Sequence, residues 1–193
     1  MLGDSLMNDT YLGGFPALLK RAFPKSDPQC IISVRGSTGC GYYSDPEHFD
    51  EYVRQWKPDL LIIGGISHCA HETEWGPRED TMDRLLAMCA SCRDEFETVV
   101  QTPPVCLEWR KSPEDTAFKG DECLEFRRDY MFKSGARYNI AVWECTIGPG
   151  VAWAESKKPL NWFKRDFVHL NDRGKHLVTR MLMKYFDQAL ETR

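Results

Sequence analysis

A three-layer α/β fold with a mostly parallel sheet is what this sequence predicts, and three observations predict it. Short β-rich apolar runs alternate with helix-period segments along the chain. One of those runs, Leu60-Leu61-Ile62-Ile63, is continuously apolar, as strands covered on both faces are. Glycine- or polar-rich turns follow the strand ends, at Gly3 to Leu6, Gly36 to Gly39, Gly64 to His68 and after Trp143. Parallel sheets gather their functional groups at such ends.

Each element has its own warrant. Tyr11 to Phe23 places Leu12, Phe15, Leu18, Leu19, Ala22 and Phe23 at helical spacing, and Pro24 stops the run. Cys30 to Val34 is β-rich and leads into the turn Arg35-Gly36-Ser37-Thr38-Gly39. Asp45-Pro46 opens a helix whose apolar face is Phe49, Tyr52, Val53 and Trp56. Leu60 to Ile63 is the doubly covered strand, and Thr81 to Cys92 the next helix. Phe96 to Val100 is a strand halted by Pro103-Pro104. Cys106 to Lys119 is polar and irregular, a loop. A helix over Glu122 to Ser134 and a strand over Tyr138 to Trp143 follow. The clearest helix runs from Asp172 to Leu190, with Leu177, Val178, Met181, Leu182, Tyr185, Phe186 and Ala189 on one side.

Composition narrows the function classes. The 193 residues suit one domain over 1–193, and 42% hydrophobic against 28% charged residues is a globular balance. A net charge of −4 argues against a nucleic-acid or anionic-membrane partner. The longest apolar run is too short to span a bilayer. No secretory leader is visible, and only Met1 and Leu2 precede Gly3. The expectation is a domain cut from a longer parent, with its compartment and oligomeric state left open. Cys89-Ala-Ser-Cys92 has C-x-x-C spacing but no second pair or His doublet beside it. That disfavours zinc and leaves free thiols as the better reading, although eight cysteines are also compatible with disulfides. No metal or cofactor site is expected.

Chemistry enters at the two ends of the chain. Gly3-Asp4-Ser5-Leu6 alone is an ordinary strand-to-helix turn. Lys164 to Asn171, just before the last helix, holds Asp166 and His169 three residues apart. A nucleophilic serine needs that pair: His169 to take the proton from Ser5, Asp166 to orient the imidazole. Together, Gly3-Asp4-Ser5-Leu6 and Asp166-Phe167-Val168-His169 resemble the GDSL, or SGNH, hydrolase family, with Asn171 and Gly174 also in place. Gly36 fits the family's second block. The resemblance covers the whole chain and implies a flavodoxin-like α/β/α sandwich. It implies ester hydrolysis through Ser5, His169 and Asp166, with the oxyanion held by backbone N–H groups of Ser5 and Gly36.

The third block departs from the family pattern. A Gly-x-Asn-Asp sequence is usual, its Asn donating to the oxyanion; here the chain reads Gly64-Gly65-Ile66-Ser67-His68. His68 replaces the Asn, Ser67 does, or the third donor is missing; the first is preferred. This stretch resembles a carbohydrate-active subgroup, which makes acetyl esters on carbohydrate the expected substrate. The alternatives are a lipase, lysophospholipase or thioesterase of the same fold, and a non-catalytic carbohydrate-binding domain with a degenerate oxyanion hole. Arg35, Tyr42 and Trp162 are candidate substrate contacts, with Tyr43 and Trp75 as further loop aromatics. The preferred reading of Arg35 is structural, pairing with an acid such as Asp4. His48 and His71 read as exposed polar residues, His176 as a surface or half-buried histidine on the last helix rather than a ligand, and Trp143 and Trp153 as packing.

Overall fold

The computed structural model describes residues 1–36, 38–65, 78–102, 122–146, 148–149, 152, 155, 163, 165 and 169–191. Five strands form one sheet: β1 (Leu2–Gly3), β2 (Ser33–Val34), β3 (Leu60–Gly64), β4 (Glu97–Gln101) and β5 (Ala141–Trp143). Their order is β2-β1-β3-β4-β5, and every pairing is parallel. The helices are α1 (Ser5–Leu12), α2 (Phe15–Ala22), α3 (Cys40–Tyr43), α4 (Pro46–Tyr52), α5 (Arg78–Ser91), α6 (Glu122–Tyr138) and α7 (Asp172–Glu191).

Strand alternation explains the three layers. Leu61, Ile63 and Val100 point into one core with Phe49, Leu85, Leu86 and Met131, from α4, α5 and α6. Ile62 and Val99, one residue out of phase, point into the other with Met7, Phe15, Val178 and Leu182, from α1, α2 and α7. A strand with apolar residues at every position suits a sheet covered on both sides. No helix among the described residues is long and apolar enough to cross a membrane.

Four local expectations are corrected. The helix anticipated over Tyr11 to Phe23 is two helices, because α1 begins at Ser5 and the chain breaks at Gly13-Gly14. Gly14 is left-handed there, at φ 95°. The strand over Cys30 to Val34 shrinks to Ser33–Val34. β1 has only two residues to pair with, in the register Leu2↔Ser33 and Gly3↔Val34. The turn after β2 runs straight into α3, so Tyr42 and Tyr43 sit on a helix and not in a loop. Trp56 leaves the α4 face: the chain tightens into a 3₁₀ turn over Arg54–Trp56, and the indole is exposed. Cys89 and Cys92 are buried free thiols, as expected, and Cys30 is a half-buried one. The loop expected over Cys106 to Lys119 lies outside the described residues.

Gly3 is required by close approach. A Cβ there would collide with the Gly64 carbonyl of the neighbouring strand. Gly36 is the opposite case, since a Cβ would meet nothing within 4 Å. Gly3→Ala is therefore expected to destabilise the fold by about 3 kcal/mol or more, the upper range of overpacking. Gly36→Ala should stay within about 0.5 kcal/mol of wild type, as exposed substitutions do. Urea midpoints of the two variants check this.

Candidate active site

Register places the site. Gly3 pairs with Val34 on one side and Gly64 on the other. Ser5 and Gly36 each come two residues after a paired strand end, at the C-terminal edge of the sheet. From β1 the chain runs outward to β2 and then crosses back to β3. The sheet order reverses at β1, the point where open α/β sheets bind their ligands.

Asp4 builds the turn that delivers Ser5. Its backbone is extended, and its side chain accepts the Leu6 N–H at 2.8 Å, capping α1. Ser5 is then the first helical residue, half-buried, at the positive end of the α1 dipole. The Asp4 carboxyl is almost fully buried, and burial pushes it up to about 7; the N–H donors of Leu6 and Met7 pull the other way without cancelling that. Gly65, at φ 75°, makes room for it, because a Cβ there would strike the Asp4 carboxylate.

His169 comes from the far end of the chain. Its Nε2 lies 3.0 Å from Ser5 Oγ, a contact in which the serine hydroxyl donates when Nδ1 carries the ring proton. That is the separation a general base needs for the proton it removes. The segment around His169 is tied locally. Arg165 N–H donates to the His169 carbonyl at 3.2 Å, and Asn171 N–H to the Phe163 carbonyl at 2.9 Å. Asn171 Oδ1 accepts from Gly174 N–H at 3.0 Å and caps α7.

The turn carrying Gly36 is pinned to the serine turn. Arg35 N–H donates to the Gly3 carbonyl at 3.1 Å and to the Tyr43 hydroxyl at 2.9 Å. The same hydroxyl donates to the Gly3 carbonyl, so one buried phenol bridges both strand ends. Tyr43 is fully buried, which removes it from the aromatics available for stacking on a substrate. Its role had no sequence signal beyond a Tyr-Tyr pair after a turn.

Of the sequence-derived residues, the structure brings Ser5 and His169 together, and it places Gly36 two residues past the end of β2, the neighbour of β1. Asp166, His68 and Trp162 lie outside the described residues, as do Ser67, Trp75, His71 and Trp153. Arg35 is exposed, and its guanidinium sits over the Tyr42 ring, 4.4 Å from the centroid, rather than beside Asp4. Tyr42 is half-buried, with His48 stacked on it at 3.7 Å. His48 also contacts the Tyr42 carbonyl at 3.0 Å, so it is a packed residue and not a solvated one.

Solved structures share this fold. An acetyl xylan esterase, AlAXEase, superposes with a TM-score of 0.68 at 18% identity, over 95% of this chain and 96% of its own. An acetylxylan esterase from Geobacillus stearothermophilus gives 0.74 at 12% identity, over 95% and 90%. A protein from Parabacteroides merdae described as a GDSL-like lipase gives 0.69 at 19% identity, over 88% and 78%. The fold is that of the GDSL/SGNH hydrolases. No family model matches this chain, and no curated protein matches it by sequence. The expected α/β/α sandwich with a mostly parallel sheet is present.

The raised Asp4 carboxyl has a consequence for stability. Between its ordinary value of 3.8 and about 7, the folded chain holds a proton that the unfolded chain releases. The contribution is therefore full below 3.8 and declines as pH rises toward 7. Asp4→Asn removes the titration. The stability of wild type relative to Asp4→Asn is expected to fall as pH rises through this window and to level off above it, measured by urea unfolding.

Proposed function

We propose that this protein is a serine esterase that removes small acyl groups, acetyl foremost, from carbohydrate. The observation that carries the proposal is the 3.0 Å approach of His169 Nε2 to Ser5 Oγ at the sheet's switch point. Nothing in packing alone calls for a half-buried serine to meet a histidine there. The acetyl preference is supported by the acetyl xylan esterases of the same fold and by the Gly64 to His68 stretch.

The steps follow from the residues. Ser5 Oγ attacks the ester carbonyl as His169 takes its proton. The tetrahedral oxyanion is held by the Ser5 and Gly36 N–H groups, with His68 as the third donor in place of the family Asn. As the intermediate collapses, the bond to the sugar oxygen breaks, His169 gives that oxygen its proton, and the acyl group stays on Ser5. Water, deprotonated by the same imidazole, releases the acid and restores Ser5. Asp166 holds the imidazole in the tautomer that accepts at Nε2. A lipase reading has its support in the P. merdae neighbour.

Hydrolysis of p-nitrophenyl acetate and of acetylated xylooligosaccharides tests the reading. Ser5→Ala, His169→Ala and Asp166→Asn are each expected to lower kcat on the order of 10³-fold or more while the protein stays folded. His68→Ala should cost tenfold or more, the low side of losing one oxyanion donor. Activity unchanged in Ser5→Ala would refute the proposal. A rate that rises steadily with acyl chain length would favour the lipase.

A further inference from the structure

Asp9 is a buried carboxylate that the chemistry above does not use. It is 2% exposed, one helical turn beyond Ser5 on α1. Residues four apart share a helix face. A carboxylate withdrawn from water persists only when paired or hydrogen-bonded. Asp9 has both kinds of partner, and all lie around His169. Its Oδ2 accepts the Leu170 N–H at 2.8 Å. Its Oδ1 stands 3.9 Å from Arg165 on one side of His169 and 3.9 Å from Lys175 on α7.

We propose that Asp9 is a positioning residue for the Ser5–His169 pair: by holding the Leu170 amide, it fixes the peptide that immediately follows the imidazole-bearing residue. This rests on the esterase reading for its catalytic consequence. α1 thus grips the His169 segment at two points on one face. The Ser5 hydroxyl meets the imidazole, and the Asp9 carboxylate meets the next peptide's N–H. The Leu170 side chain, buried in the core beside α7, anchors the chain there. The hydrogen bond sets the plane of the peptide and so the direction in which His169 leaves it. A misplacement of about 1 Å between reacting groups is enough to cost on the order of 10²-fold.

The test compares wild type, Asp9→Leu, similar in size without an acceptor, and Asp9→Asn, which keeps one. Two readouts are taken: p-nitrophenyl acetate kinetics and hydrogen exchange of the Leu170 amide. Asp9→Leu is expected to lose kcat about 10- to 100-fold with KM within about threefold, and to lose Leu170 protection. Asp9→Asn should recover most of both. A purely structural role would lower Tm and leave kcat of the folded protein unchanged. If Asp9→Leu does not fold, Asp9→Ser replaces it, with a side chain too short to reach Leu170. A kcat within twofold of wild type, or a Leu170 amide as protected as before, overturns the proposal. If wild type hydrolyses no ester, the esterase reading fails by itself; Leu170 exchange and the His169 imidazole resonances still decide whether Asp9 holds that segment.

Discussion

Everything at the candidate site depends on α1 packing against α7. Ser5 and His169 are 164 residues apart in sequence. Closing a loop of that length costs about 4–5 kcal/mol by the logarithmic law. One hydrogen bond of about 1 kcal/mol cannot hold such a closure. The helix pair does. Thr179 Oγ1 donates to the Thr10 carbonyl at 2.7 Å, and His176 Nδ1 donates to the Gly13 carbonyl at 2.9 Å. Met7, Phe15, Val178 and Leu182 pack in the same core. The contact between serine and imidazole is thus a by-product of burial, set up before any substrate arrives.

The sheet supplies the second constraint. β1 is two residues long, yet it is flanked on both sides, by β2 and β3. The glycines at these strand ends let the strands approach and let Asp4 tuck under Gly65. A short interior strand bounded by glycine places the Ser5 turn between two neighbouring turns. Gly36 lies on one side and the Gly64-Gly65 end of β3 on the other. The Tyr43 bridge then locks the Gly36 side to the Gly3 carbonyl.

Much of this was legible in the sequence, and for physical reasons. Long periodic or continuously apolar segments, such as α7 and β3, have one way to bury their surface. Ser5 and His169 were legible because the serine turn and the segment before the last helix carry paired chemical signals. The break at Gly13-Gly14 was hidden by apolar spacing that runs through it. Cys30 to Val34 was overextended, because β propensity says nothing about how short the partner strand is. Asp9 escaped notice because it precedes Tyr11, where the helix was expected to begin, and a lone acid between a turn and a helix reads as solvated. Only the fold shows it facing the Leu170 amide. Tyr42 read as a loop aromatic, since a four-residue helix after a glycine-rich turn leaves almost no pattern.

Whether Ser5 is the activated nucleophile is tested most directly by treating the folded protein with a fluorophosphonate and mapping the adduct by peptide mass spectrometry. The serine alkoxide displaces fluoride from phosphorus, so the label marks a serine whose proton has a base to go to. The expected result is a single adduct on Ser5, formed rapidly in wild type and slowed by at least about 10²-fold in His169→Ala. An unlabelled Ser5, or labelling that proceeds equally well without His169, would contradict the assignment of this pair as nucleophile and base.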